Sequence, residues 1–87
     1  MNSREIEITN PIGLRARPAT FFIQKANEFK SSIWVEKDDR RANAKSLLGV
    51  LSLGIAYGAF ITIAADGNDE DAAIEALVKI INENFPE

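Results

Sequence analysis

Ser32-Ile33-Trp34-Val35-Glu36-Lys37-Asp38-Asp39-Arg40-Arg41-Ala42-Asn43 is the stretch that decides the fold. Its first half alternates with a period of two, Ile33 and Val35 on one face and Trp34 and Glu36 on the other, the pattern of a half-buried strand. Asp38-Asp39 suits a tight turn, so a short strand over about Arg40–Asn43 completes a hairpin. Upstream, Arg4 to Thr9 alternates in the same way with Ile6 and Ile8 in phase. Downstream, Phe60 to Ala65 alternates through Ile61 and Ile63 and closes at Asp66-Gly67. The segments between and after these strands carry the helical period instead. Asn10, Pro11 and Gly13 break regular structure, and Pro18 suits the first turn of a helix that starts near Ala16. Ala19, Phe22, Ile23, Ala26 and Phe29 supply its buried stripe. Leu47, Val50 and Leu51 share one face behind Ser46, a preferred N-cap residue, and Gly54 stands where that segment should end. Residues 69–84 open with Asp69, Glu70 and Asp71, favoured at a helix N-terminus, and continue through Ile74, Leu77, Val78 and Ile81.

The expected order is βαββαβα. Each helix has one apolar face, so all three can cover one side of a sheet of four antiparallel strands, an α+β open-faced β-sandwich. Trp34 and Phe60 then turn to the uncovered side, either paired across neighbouring strands or forming a surface for self-association. At 87 residues, 46% hydrophobic and 26% charged, the chain is expected to form one domain over residues 1–87 and is neither collagen-like nor disordered in composition. Without cysteine there is no disulfide framework, and without histidine the commonest zinc ligand is missing, so neither a metal site nor a cofactor is expected. The missing histidine also leaves no side chain with an ordinary pKa between pH 5 and 8, which disfavours acid–base catalysis. No apolar run reaches the ~18 residues that span a bilayer, and the expected location is the cytoplasm. Nine basic and six acidic side chains give residues 1–45 a charge of +3, whereas one basic and seven acidic give residues 46–87 a charge of −6. The acidic total argues against direct nucleic-acid binding, while the first part leaves room for a local anion-attracting surface.

Two places could carry chemistry. In Asn10-Pro11-Ile12-Gly13-Leu14-Arg15-Ala16-Arg17-Pro18-Ala19, Arg15 and Arg17 stand at the start of the first helix, where unpaired backbone N–H groups favour an anion. The alternative is that both arginines point into water. Ser46 is the second place. As an N-cap its hydroxyl needs no function, yet a phosphate there would sit at the positive end of a helix, where its charge stabilises. Lys45, Leu47, Leu48 and Leu51 have the composition of a partner-docking surface as well as of an ordinary core. The sequence places no carboxylate near Arg15 and Arg17, so hydrolytic chemistry is not expected there.

Gly13-Leu14-Arg15-Ala16-Arg17-Pro18-Ala19 and Asn43-Ala44-Lys45-Ser46-Leu47-Leu48-Gly49-Val50-Leu51-Ser52-Leu53-Gly54, with the βαββαβα order, resemble the HPr family over nearly the whole chain. These are the histidine-containing phosphocarrier proteins of the bacterial sugar phosphotransferase system. In that family the residue at the position of Arg15 is the histidine that takes phosphate from enzyme I and passes it to sugar permeases, with Arg17 assisting at the phosphate. Arg15 cannot replace it: a guanidinium stays protonated, offers only donors and has no nucleophilic lone pair. The motif around Ser46 is intact. The resemblance is to the catabolite repression (Crh) branch, which keeps this serine, lacks the histidine and has glutamine at the lost position. It implies phosphorylation of Ser46 by HPr kinase/phosphorylase and a corepressor role with catabolite control protein A. Arg15, Arg17, Lys45, Leu47, Leu48 and Leu51 would be the anion and partner contacts. Leucine at 48 and 51, where relatives often have methionine, keeps the apolar character with less adaptability. The expected protein is a regulator and not an enzyme, with no membrane partner. The alternative is a constitutive interaction module or decoy of the phosphotransferase system that acts independently of Ser46. Exchange of the first strand between copies, known for Crh, makes a homodimer a further expectation.

Overall fold

β2 (Ser32–Lys37) and β3 (Arg40–Asn43) form the expected hairpin, paired antiparallel from Trp34 opposite Asn43 to Lys37 opposite Arg40. Asp38 turns the chain at φ 56, a left-handed conformation that a short polar side chain tolerates. In the computed structural model, which describes residues 1–85, this hairpin is joined by β1 (Asn2–Glu7), α1 (Ala16–Ala26), α2 (Leu47–Ser52), β4 (Phe60–Asp66) and α3 (Glu70–Asn82). The sheet order is β1-β4-β2-β3 with every neighbouring pair antiparallel, so β4 is central although it is the last strand in sequence. Its inward residues Ile61, Ile63 and Ala65 join Ile33 and Val35 of β2 in one buried cluster. The helices close that cluster with Phe22 and Ala26 of α1, Val50 of α2, and Ile74, Leu77 and Ile81 of α3. Each large aliphatic side chain buried here stabilises the fold by about 1.5–3 kcal/mol, so Ile63→Ala at the centre should cost roughly 2–5 kcal/mol.

The elements differ from the sequence reading at their ends. β1 begins and stops two residues earlier than Arg4–Thr9, because the ladder is set by its partner: Asn2 and Ser3 pair with Ala65 and Ala64. Ile8 leaves the ladder but stays fully buried, its N–H donating to the Ala59 carbonyl and its carbonyl accepting from the Gly58 N–H, both at 2.8 Å. β4 runs one residue further, to Asp66, and α3 occupies Glu70–Asn82 within the expected 69–84. Ala19, Phe22 and Ala26 form the buried stripe of α1; Ile23 is half-buried, and Phe29 packs half-buried beyond the helix end.

Asp69, expected to start α3 through its charge, does a second job across the molecule. Its carboxylate accepts from the backbone N–H groups of Lys30 (2.9 Å) and Ser31 (3.0 Å) and from the Ser31 hydroxyl, tying the entry of β2 to the start of α3. The Ser31 hydroxyl, followed by the Lys30 N–H, stabilises the ionised carboxylate and lowers its pKa from 3.8 to about 2.

Trp34 and Phe60 do lie on the uncovered side of the sheet, but they do not pair. Trp34 stands beside Ala64 and Phe60 beside Glu7, so the two aromatics are separated along β4 by four residues, about 13 Å. Trp34 is covered instead by the Arg41 guanidinium, 4.3 Å from its ring centroid, which also lies 3.7 Å from Glu36. Phe60 is 60% exposed. Among the described residues no helix is long and apolar enough to cross a membrane.

Candidate functional site

The loop before α1 is held by hydrogen bonds. Asn10 donates from Nδ2 to the Gly13 carbonyl (2.7 Å), Gly13 N–H donates to Asn10 (3.1 Å), and Leu14 N–H donates to Ile55 (3.0 Å). Gly13 sits at φ +70 against that neighbouring loop, and a Cβ there would fall 2.5 Å from the Ile55 carbonyl oxygen, so a side chain is excluded. Arg15 follows in extended conformation as the residue before α1 and gives no side-chain cap; its Nε donates to the Ile12 carbonyl at 3.3 Å. Ala16 is at φ 54, an unfavourable conformation for a residue with a Cβ that costs about 1–2 kcal/mol. The guanidinium of Arg17 is 6.0 Å from the Phe21 ring centroid. Both arginines are exposed, and among the described residues neither has a carboxylate within 4.0 Å. Among the described residues, the arrangement holds two guanidinium groups without an ion-pair partner at a helix start with no acidic residue in its first turn. It can attract an anion, but it contains no group able to become phosphorylated as an imidazole does.

The second region begins at Ser46. It occupies the N-cap of α2 with extended backbone (φ −110, ψ 117), and its Oγ accepts from the Gly49 N–H at 3.1 Å. The preceding turn is held by Asn43, whose side-chain oxygen accepts from the Lys45 N–H (2.8 Å) and whose carbonyl accepts from the Ser46 N–H (3.1 Å). Lys45 is half-buried. Its Nζ donates to the Phe29 carbonyl at 2.7 Å, which fastens the start of α2 to the turn after α1. Lys45 is therefore a tether, not a freely exposed cation on the surface. Sequence reading missed this bond, since nothing local to Lys45 points to a carbonyl sixteen residues away. The Asn43 turn did have a signal, an asparagine two residues before the N–H that it accepts.

Of the three α2 residues placed on one helical face, only Val50 is buried; Leu47 and Leu51 are exposed, and Leu48 is 80% exposed. Val50, Leu53 and Ile55 fill the core under this six-residue helix, leaving the other leucines outside. The result is an apolar surface directly after a serine hydroxyl. Arg15 and Arg17 lie at the start of α1 and Lys45 is fastened near its end, while the loop before α1 meets the segment after α2 through the Leu14 N–H and the Ile55 carbonyl. Among the described residues no group of three or more acidic side chains could hold a metal ion.

Residues 2–83 match the family described as the phosphotransferase-system HPr component phosphorylation site. The chain belongs to the HPr family. It is 47% identical over 81 residues to the HPr-like protein Crh of Halalkalibacterium halodurans, covering 93% of this chain and 96% of that one. Its structure is similar to the HPr-C-His of Thermoanaerobacter tengcongensis, with a TM-score of 0.97 at 49% identity, over 100% of this chain and 98% of the other. It also resembles the crystal structure of Bacillus subtilis Crh, described as a swapped dimer, with a TM-score of 0.77 at 39% identity over the whole of both chains. Within the family this chain is of Crh type, with arginine at position 15 and no histidine anywhere.

Proposed function

We propose that this HPr-family chain is a non-catalytic regulator in the cytoplasm, switched by phosphorylation of Ser46 and acting with catabolite control protein A in carbon catabolite repression. The observation that carries the reading is the contrast between positions 15 and 46. Position 15 has a guanidinium without a lone pair to accept a phosphoryl group, while position 46 has a hydroxyl at the edge of exposed leucines. In the proposed reaction the Ser46 Oγ attacks the γ-phosphorus of ATP. The new O–P bond forms, the bond to ADP breaks, and the hydroxyl proton passes to a base on the kinase. The product adds about −1.5 to −2 of charge at the capping oxygen, changing the surface while leaving the fold in place. Leu47, Leu48 and Leu51 then supply apolar contact to the regulator, and the phosphate, Arg15 and Arg17 supply charged contact.

Incubation with HPr kinase/phosphorylase and ATP, phosphate mapping by mass spectrometry, and titration with catabolite control protein A test the proposal. One phosphate on Ser46 and at least about tenfold tighter binding, 1.4 kcal/mol, are expected. Ser46→Ala should abolish both gains and, through the lost cap, destabilise the chain by about 1 kcal/mol. Binding that is equally tight before modification and after Ser46→Ala would favour a constitutive module or decoy instead.

Similarity to the swapped Crh dimer supports a homodimer formed by exchange of β1. The strand is exposed over most of its length and pairs with β4 alone, so it can leave one copy and rejoin another. Light scattering after size exclusion should give twice the mass of one chain at high concentration; a single-chain mass at every concentration would contradict the exchange.

A further inference from the structure

We infer that Gly49 is the residue that keeps Ser46 able to accept and carry a phosphate, an inference that rests on the reading of Ser46 given above. Five glycines occur in the chain. Gly13, Gly54, Gly58 and Gly67 lie at positive φ, where a side chain is strained. Gly49 does not. It stands inside α2 in a conformation open to alanine, where glycine weakens a helix. Its backbone conformation gives no reason for a glycine, whereas its surroundings do. A Cβ on residue 49 would fall 3.3 Å from the Ser46 Oγ and 3.4 Å from the Ser46 Cβ, with the Ala42 Cβ behind it at 3.5 Å. The Gly49 N–H already points at the same Oγ from 3.1 Å. A methyl group there is in van der Waals contact with Ala42 and closer than usual to the serine, so the serine side chain must give by a few tenths of an ångström.

An unmodified hydroxyl can absorb this crowding by shifting a few tenths of an ångström. A phosphoserine has less freedom, because a phosphorus and three further oxygens must fit around the same Oγ. When Oγ takes the γ-phosphoryl group of ATP, with release of ADP and of the hydroxyl proton to the kinase base, the group arrives beside position 49. Glycine leaves that space empty and alanine fills part of it. Gly49 thus acts as a positioning and specificity residue for the modification, at the expense of helix propensity.

The test places phosphoserine at position 46 during translation, in chains with either Gly49 or Gly49→Ala, and compares melting of the four proteins. Unmodified Gly49→Ala should melt at or above the unsubstituted chain. Phosphoserine should leave the Gly49 chain within about 2 °C of its unmodified form and lower the alanine chain by about 4–8 °C, a coupling that a purely structural glycine would not produce. HPr kinase/phosphorylase with ATP should modify Gly49→Ala at least about tenfold more slowly than the unsubstituted chain, a barrier difference of about 1.4 kcal/mol. Equal phosphoserine shifts in the two backgrounds would overturn the inference. So would an unmodified Gly49→Ala chain that fails to fold or melts far below the parent, because the crowding would then not depend on phosphate. A kinase inactive on the unsubstituted chain would count against the functional reading alone, since the melting comparison needs no kinase.

Discussion

The start of α1 and the start of α2 are both approached through an asparagine-held turn and differ in the residue placed just before the helix. Each is a helix start held by a tightly hydrogen-bonded turn, through Asn10 in one case and Asn43 in the other. Each presents a residue just before the helix, Arg15 or Ser46. The guanidinium of Arg15 offers only donors and stays charged, whereas the Ser46 Oγ has lone pairs and already uses one as a cap. A helix start that attracts anions is not thereby able to react with one. Attraction comes from backbone N–H groups and cations, and reaction requires a nucleophile. Ala16 sharpens the contrast, since the first region holds a left-handed residue that adds strain.

Restoring the missing atom is the strongest way to break the comparison. Arg15→His should be labelled at position 15 by phosphoenolpyruvate and enzyme I, where the unsubstituted chain is expected to take none, because the loop, Arg17 and the helix start are in place. Absence of acid-labile label on that variant would mean that more than the nucleophile has been lost. A smaller effect tests the other region. Leu48→Ala should weaken binding of the phosphorylated chain to catabolite control protein A by about tenfold, 1.4 kcal/mol, as read by titration calorimetry. Since Leu48 is 80% exposed, stability should change by less than about 0.5 kcal/mol.

Much of this was legible locally. The Ser32–Lys37 and Arg40–Asn43 strands have the expected boundaries, because alternation and an Asp38-Asp39 turn are contained in twelve adjacent residues. The Ser46 cap was readable for the same reason, since its acceptor and donor are three residues apart. What depended on distant partners was not. The alternation around Ile6 and Ile8 marks burial, but the ladder is decided by pairing with β4, nearly sixty residues away, so β1 ends at Glu7 while Ile8 remains buried. Side-chain parity put Trp34 and Phe60 on one face; register, which parity does not contain, put them too far apart to touch. Lys45 was read as a partner contact, and its bond to the Phe29 carbonyl was not visible because that carbonyl belongs to a turn after another helix. For the leucines of α2, a helical face could be read, but which side of it met the core depended on Leu53 and Ile55 further along.

Acid provides a milder test, at a point remote from both helix starts. The pKa of Asp69 falls from 3.8 to about 2 on folding, so its stabilising contribution is complete above about pH 4 and is lost as pH falls towards 2. Urea melts across that window should show decreasing stability, and Ser31→Ala should flatten the dependence by removing the largest cause of the shift. The smallest effect belongs to α1. Ala16→Gly relieves left-handed strain of about 1–2 kcal/mol against a backbone entropy cost of about 0.5–1 kcal/mol, for a net stabilisation of roughly 0–1.5 kcal/mol. Thermal melting should show a rise of a few degrees, about 4–8 °C per kcal/mol for a domain of this size.

The most direct measurement of the central claim sets the two phosphate donors side by side on the unsubstituted chain. One sample receives ATP with HPr kinase/phosphorylase and the other phosphoenolpyruvate with enzyme I, and both are mapped by mass spectrometry. Phosphate on Ser46 is expected in the first and none in the second. Phosphate taken from phosphoenolpyruvate at any residue, or a Ser46 left bare while a control HPr is fully modified, would contradict it.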